Sequence, residues 1–377
     1  MITRADIEAA QGRLTGVIRP TPVERPRGLS ALAGRPVVLK CEHLQRTGSF
    51  KIRGAYNLIS QLDDGVDVVA ASAGNHAQGV ALAASLLGHH ATIYMPAAAP
   101  LPKVEATRAY GASVVLVPGG VDECLAVAKS WATETNTVLV PPFDDERIIA
   151  GQGSLGLELN AQAPEIESVV VPIGGGGLIS GVATAFAHSR RDVRVIGVEA
   201  ADRLNTMADG IRLKAPSALT QSHIDAYVDE VVTVDEEAIS QALVVLLERS
   251  KQVVEPAGAV AFAAVLSGLV RGDGPVGVVI SGGNIDPLLL VRVVDHGLSA
   301  AGRYLVLRVI VRDTPGELAR LLSVVAAEGL NVLSVDHHRA GSRVGINKTE
   351  VRLTLETRDP SHRGEVVEII KAAGFDA

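Results

Sequence analysis

The chain has 377 residues, a net charge of −7, 47% apolar residues, 38 glycines and only 3% aromatic residues. That length exceeds one ordinary core, so two or three domains are expected, and the acidic balance argues against nucleic acid as the main partner. The two cysteines, Cys41 and Cys124, stand in no CxxC pair and near no His/Cys cluster, so neither a zinc site nor a disulfide framework is expected. The start, Met1 to Asp6, lacks a signal-peptide pattern, and no apolar run is long enough for a membrane span. A cytoplasmic protein with no membrane partner is the expectation.

Residues 3 to 18 predict an amphipathic helix, ended by Arg19-Pro20-Thr21-Pro22. Strand-like runs follow at Val37 to Cys41, Val66 to Ala71, Ala91 to Met95, Ser113 to Val117 and Thr137 to Val140. Helical patterns lie between them at Gly79 to Leu87, Lys103 to Tyr110 and Asp122 to Thr135. Further apolar runs occupy Ser168 to Pro172, Val193 to Val198 and Val276 to Ile280, and Glu236 to Lys251 reads as a helix. Strands alternating with helices predict an α/β fold with a mostly parallel sheet. Past about Gly297 the pattern changes. Tyr304 to Val311, Val332 to Asp336 and Thr349 to Glu356 read as strands, with helices at Glu317 to Glu328 and His362 to Ala373. This β-α-β-β-α order is ferredoxin-like, with its closing strand expected to be missing at Gly374 to Ala377.

Thr47-Gly48-Ser49-Phe50-Lys51 precedes apolar residues at helical spacing, Ile52, Ala55, Tyr56 and Ile59. Thr47 or Ser49 can serve as N-cap, which puts Lys51 in the first turn beside Phe50. The partial positive charge of a helix N-terminus, with desolvation by Phe50, should lower the lysine pKa. A neutral amine is what Schiff-base chemistry needs.

Three strand-to-helix loops share one design. Ser72-Ala73-Gly74-Asn75-His76 opens a helix with free N–H groups suited to a carboxylate, and Asn75 is suited to a phenolic oxygen. Gly174-Gly175-Gly176-Gly177-Leu178 follows an apolar strand and suits a single phosphate. It is neither a dinucleotide fingerprint nor a P-loop, since Ile179 or Ser180 stands where the last glycine belongs and no Lys-Ser/Thr follows. Ser281-Gly282-Gly283-Asn284 ends a third strand and points a hydroxyl at the same cleft. A lysine at a helix start, a lone phosphate cradle and that hydroxyl together fit pyridoxal 5'-phosphate, with Ser281 meeting the pyridine nitrogen.

These four motifs, in this order and spacing over residues 1 to about 300, resemble the threonine dehydratases of the fold-type II pyridoxal-phosphate family. Asp209-Gly210-Ile211 and Val254-Glu255-Pro256-Ala257-Gly258-Ala259 add to the resemblance, and residues 303–377 resemble an ACT domain. The resemblance implies a tryptophan-synthase-β-like catalytic domain over 1–302, with a small subdomain at roughly 42–140 inserted in the larger one. It implies that Lys51 carries the cofactor and then acts as general base, while Phe50 packs near the ring. Asn75 would bond the ring hydroxyl, and Gly174, Gly175, Gly176, Gly177 and Leu178 would hold the phosphate. Ser72, Ala73, Gly74, Asn75 and His76 would cradle the substrate carboxylate. The implied reaction is β-elimination on L-threonine, giving 2-oxobutanoate and ammonia, and on L-serine, giving pyruvate.

The alternatives are a serine racemase or hydroxyaspartate dehydratase of the same fold and a non-catalytic amino-acid sensor. Related racemases carry a second serine where Ala73 stands. The same relatives often show a metal-binding acidic set after the strand ending at Glu199, where this chain brings Arg203, so no metal is expected. In the C-terminal unit, helix N–H groups at Asp313 to Gly316 are expected to take an effector carboxylate. Asp313 or Asn331 would take its ammonium, the two being expected to lie close enough to share a site. Isoleucine is the expected effector, and a homodimer or homotetramer the expected assembly.

Overall fold

The computed structural model describes residues 1–300, 302–338, 345 and 347–377, and divides into two units, Met1–Leu289 and Leu290–Ala377. In chain order the strands of the first unit are β1 (Val23–Glu24), β2 (Val37–Cys41), β3 (Val68–Ala71), β4 (Ala91–Pro96) and β5 (Ser113–Val117). They continue with β6 (Val138–Leu139), β7 (Ser168–Pro172), β8 (Arg194–Ala200), β9 (Glu230–Val234) and β10 (Val276–Ile280). One sheet has the order β1-β2-β10-β7-β8-β9, parallel except for β1; a second, β5-β4-β3-β6, is parallel throughout. Strands β2, β3, β7 and β10 are buried at every residue, because crossover helices cover both faces of a parallel sheet. Two of the unit's apolar cores follow from this, one around Val169, Ile179 and Phe186 and one around Val80, Ile93 and Met95.

Several element ends differ from expectation. The first helix is Arg4–Leu14, capped by Thr3 and Asp6 in a capping box, and it stops well before Pro20. Gly16 at φ +78 carries the chain out of it. The helix expected from Gly79 starts at Asn75, so Asn75 itself is its first residue. The helix Glu146–Gln162 has no counterpart among the elements expected from sequence. Its interior glycines and its burial along most of its length blur the periodicity by which a half-exposed helix is recognised. Its Glu158 reaches back to the helix Lys51–Ile59. Arg53, fully buried there, bonds Glu42 Oε2 and Glu158 Oε1 at 2.8 Å each, and Lys40 bonds Glu158 Oε2 at 2.8 Å. This closed ion network holds the helix that begins at Lys51.

In the second unit β11 (Tyr304–Arg312), β12 (Val332–His338) and β13 (Lys348–Glu356) form an antiparallel sheet of order β11-β13-β12. Buried and open residues alternate along β11 and β13, whereas β12 is exposed at every residue. The helices Glu317–Ala327 and Pro360–Ala372 contribute Leu321, Val325, Val366 and Ile370 to its core. The closing strand, expected to be missing, survives as a single antiparallel bridge between Asp376 and Ile310, beside a buried Phe375. Among the described residues no helix is long and apolar enough to cross a membrane.

Candidate active site

The stretch before Lys51 is not capped as expected. Thr47 adopts φ +64, Ser49 is extended, and Phe50 is the N-cap residue, with no side-chain capping bond. Tertiary pairing holds the turn instead. Phe50 N–H donates to the Ser281 carbonyl at 3.2 Å, Gly283 N–H donates to the Gly48 carbonyl at 2.9 Å, and Ser49 bridges Gly282. Two motifs more than 200 residues apart in sequence are thus one piece of structure. Lys51 follows as the first helical residue. Its Nζ donates to the Pro142 carbonyl at 3.0 Å and lies 5.2 Å from the centre of the Phe50 ring. Burial pushes its pKa down to about 8, and Glu255 pulls the other way. The direction is the expected one, but the dominant cause is desolvation in the cleft, where the residue stays half-buried.

Every cleft residue anticipated from the sequence lines one cavity of about 590 Å³: Phe50, Lys51, Ser72 to His76, Gly174 to Leu178 and Ser281. Their roles within it differ in detail. The Ser72 hydroxyl accepts from Gly74 N–H at 3.2 Å, so it shapes the turn. His76 is buried and its Nε2 meets the Val140 carbonyl at 2.9 Å, so only its backbone serves the turn. Burial, aided by the Lys51 charge, pushes the His76 pKa down to about 3 and keeps the ring neutral. Ser281 is buried, its hydroxyl 3.4 Å from the Ala257 carbonyl.

The glycine turn has a further reason to be bare. A Cβ on Gly175 would strike the Phe143 ring, and one on Gly177 would come within 2.8 Å of Phe143 Cβ. One on Gly174 would lie 2.9 Å from Ile211 Cα. Gly176, at φ +87, caps the helix Gly177–Ser189, and its Cβ would lie 2.7 Å from Thr220. The protein itself packs closely against the turn, which opens a 13-residue helix, and the backbone N–H groups of such a helix start suit an anion. A single phosphate, an aldehyde for the Lys51 amine and an aromatic ring beside Phe50 match this set of groups. The residues present therefore fit pyridoxal phosphate.

Sequence reasoning missed several participants. Glu255, 3% exposed, enters the cavity and accepts from Asn75 Nδ2 at 2.6 Å. Burial first, then the Asp209 charge, raise its pKa to about 7. Lys103 and Asp209 form a 2.7 Å ion pair on the cavity wall, and Pro142 and Phe143 form another part of it. Glu255 and Asp209 stand in motifs that carry the family resemblance, but nothing local marks them as cleft residues. Arg203 bonds Glu199 Oε1 at 2.6 Å and the Gly174 and Leu213 carbonyls at 3.2 Å each. Its guanidinium thus ties the glycine turn to the end of β8, and among the described residues no group of three or more potential ligands could hold a metal.

One expectation fails. Asp313 follows the last residue of β11, and its N–H donates to the Asn347 carbonyl. Asn331 bonds Glu356, which pairs with Tyr304 at the first residue of β11. At roughly 3.3 Å per residue the two lie on the order of 25 Å apart along that strand, so within one chain they share no site. The helix Glu317–Ala327 runs antiparallel to β11 and carries the chain from one end of the sheet to the other, separating its two loops. Gly316, at φ +96, does cap that helix, leaving the N–H groups of its first turn without helical partners.

Fold and site together define a cofactor-dependent α/β enzyme with a half-buried, weakly basic lysine in one cavity with a phosphate-sized turn. Residues 14–282 match the family described as pyridoxal-phosphate dependent enzyme, and residues 305–375 match the ACT domain. An L-threonine ammonia-lyase of Thermotoga maritima is 46% identical, over 100% of this chain and 99% of its own. A second L-threonine ammonia-lyase, of Geobacter sulfurreducens, is 45% identical over 98% of this chain and 97% of its own. Among solved structures, a threonine deaminase of T.th. aligns at TM-score 0.72 and 40% identity, over 76% of this chain and 99% of that one. Maize serine racemase aligns at TM-score 0.73 and 36% identity, over 79% and 98%. The chain belongs to the pyridoxal-phosphate dependent enzymes.

Proposed function

We propose that this protein is a threonine ammonia-lyase, converting L-threonine to 2-oxobutanoate and ammonia and L-serine to pyruvate. The observation that carries the reading is the enclosed Lys51 amine, its pKa lowered to about 8, in one cavity with the glycine turn. Two relatives with that printed name, alike over nearly the whole chain, support the substrate. Lys51 would hold the cofactor through its amine, and the amides of Gly174 to Leu178 would hold its phosphate. Asn75 would meet the ring oxygen and Ser281 the ring nitrogen. When bound, the cofactor supplies the electron sink that makes the substrate Cα proton removable. The turn from Ser72 to His76 orients the substrate carboxylate with backbone N–H groups. Lys51 would accept the Cα proton and would be the chain's own proton donor for the departing β-hydroxyl.

Racemisation needs an acid–base group on the opposite face as well. Ala73 offers a methyl group in the turn, which favours elimination. The test is to add L-threonine to the pure holoenzyme and follow 2-oxobutanoate and ammonia. Equal formation of both supports the lyase, and D-amino acid without 2-oxobutanoate would replace it with the racemase.

The division into a catalytic domain at 1–302 and an ACT domain at 303–377 belongs to the same proposal. We assign residues 303–377 an amino-acid effector, isoleucine, with its carboxylate at the turn Asp313 to Gly316. Because Asn331 lies at the other end of β11, the effector's ammonium is assigned to Asp313 and not to Asn331. A homodimer or homotetramer is proposed, as is a cytoplasmic location, which suits two buried unpaired cysteines. Titrating isoleucine and valine into full-length and 1–302 protein tests the regulation; identical activity curves would reject it.

A further inference from the structure

Two side chains bracket Asn75. Its Oδ1 accepts from Asn284 Nδ2 at 2.8 Å, while its own Nδ2 donates to Glu255 Oε1 at 2.6 Å. Asn284 Nδ2 also donates to the Thr47 carbonyl at 2.7 Å. The polarity of this chain of bonds is fixed from both ends. A backbone carbonyl can only accept, so the Asn284 group facing Thr47 is its NH2. A carboxylate likewise accepts, so the Asn75 group facing Glu255 is also the NH2. Both ends require the same orientation of the Asn75 amide. One Asn75 N–H is then left for the cavity, and the Asn75 oxygen is held away on Asn284.

Two glycines make room for this arrangement. A Cβ on Gly282 would collide with Glu255 Oε1 and stand 3.1 Å from Asn75 Nδ2. A Cβ on Gly48 would collide with Asn284 Oδ1. Four segments far apart in sequence therefore converge on one amide: the turn before Lys51, the helix start at Asn75, the residue before Pro256, and the loop after β10.

We propose that Glu255 and Asn284 are positioning residues that lock the Asn75 amide so that it presents one N–H, and no acceptor, to an anionic oxygen of the cofactor ring. The proposal rests on the cofactor reading above. It also gives that oxygen a pH-dependent neighbour. Glu255 titrates near 7, where burial and Asp209 raise its pKa while Lys103, the Asn75 bond and Lys51 lower it. When Glu255 is protonated, Oε1 remains the acceptor for Asn75 and the proton sits on the other oxygen. As pH rises through about 7, a negative charge appears next to Asn75 and disfavours the anionic form of the ring oxygen.

The experiment resolves the holoenzyme to apoprotein and titrates pyridoxal phosphate back, following absorbance from pH 6 to 9, with circular dichroism to check folding. Glu255→Ala and Asn284→Ala are expected to weaken cofactor affinity about tenfold, the scale of losing one hydrogen bond at a charged site. Glu255→Gln keeps an oxygen acceptor for Asn75 and carries no titrating proton. It is expected to bind within about threefold of the parent and to lose the spectral transition near pH 7, a change that a merely structural role would not produce. Parent-like affinity in Asn284→Ala, or an intact transition in Glu255→Gln, would overturn the proposal. Should Glu255→Ala not fold, the other two variants carry the test. An unaltered protein that binds no pyridoxal phosphate would reject the cofactor reading itself, and this inference with it.

Discussion

The catalytic unit and the C-terminal unit bury their sheets in opposite ways. Strands β2, β3, β7 and β10 are closed on both faces, while β11 and β13 alternate and β12 is open throughout. The difference follows from connection type. Parallel strands need crossover helices that cover both faces, whereas the antiparallel β12 and β13 need only a short return. Function follows the same line. Enclosure in the first unit lets one lysine lose most of its solvent, and its pKa falls to about 8. In the second unit ionisable groups stay near water, and the ion pair Arg320–Glu317 has its arginine 48% exposed. Charge in the first unit is therefore expected to be expensive to disturb, and charge in the second cheap.

The largest expected effect is at Lys51. Lys51→Ala should lower 2-oxobutanoate formation by about a thousandfold or more and abolish the bound cofactor's absorbance, since of the cavity's other two amines Lys103 is paired with Asp209 and Lys214 is exposed. Retained absorbance that borohydride bleaches, leaving the cofactor fixed covalently to a different lysine, would move the cofactor lysine elsewhere. Next comes Arg53→Ala, which leaves Glu42 and the partly buried Glu158 short of a partner. A loss of about 3–5 kcal/mol is expected in urea unfolding, the cost of stranding a buried charge. A loss under about 1 kcal/mol, the range of exposed pairs, would erase the contrast between the units.

Gly176→Asp forces a side chain into a φ +87 position against Thr220 and sets a negative charge in the phosphate turn. Cofactor affinity is expected to fall about 100-fold, from strain and charge together. An unchanged dissociation constant by absorbance titration would sink the phosphate assignment.

His76 gives the pH arm. Its folded pKa of about 3 lies below the ordinary 6.5, so between those values the unfolded chain binds a proton that the folded chain does not. Its contribution is fully present above pH 6.5 and is lost as pH falls toward 3. His76→Gln, whose amide can still donate to Val140, should flatten the stability-versus-pH slope there by up to about one proton. Identical slopes would show that His76 titrates normally.

The smallest effect is expected in the C-terminal unit. Arg320 lies 3.1 Å from Glu317 and 4.0 Å over the Phe375 ring. Arg320→Ala should cost at most about 1 kcal/mol in thermal unfolding. A penalty as large as that of Arg53→Ala would show that burial is not what separates the two units.

The sequence by itself determined the alternation of strands and helices, the change of pattern near residue 300, and the residues that gather in the cleft. These are local signals. Continuous apolar runs mark doubly covered strands, and small residues between a strand and a helix mark anion-binding turns. Lys51, the turn at Ser72 to His76, the four glycines and Ser281 were all legible in this way. Tertiary structure alone decided what each of them touches. The cap of the Lys51 helix is a pairing with Gly282, the glycine turn is bare because Phe143 and Thr220 pack against it, and His76 turns to Val140. Glu255 became a cleft residue only when residues 75, 255 and 284 were brought together. Asp313 and Asn331, near each other in sequence, were parted by the length of a strand. Hydrogen bonds and contacts between distant segments depend on where the chain returns, and no local pattern of residues carries that distance.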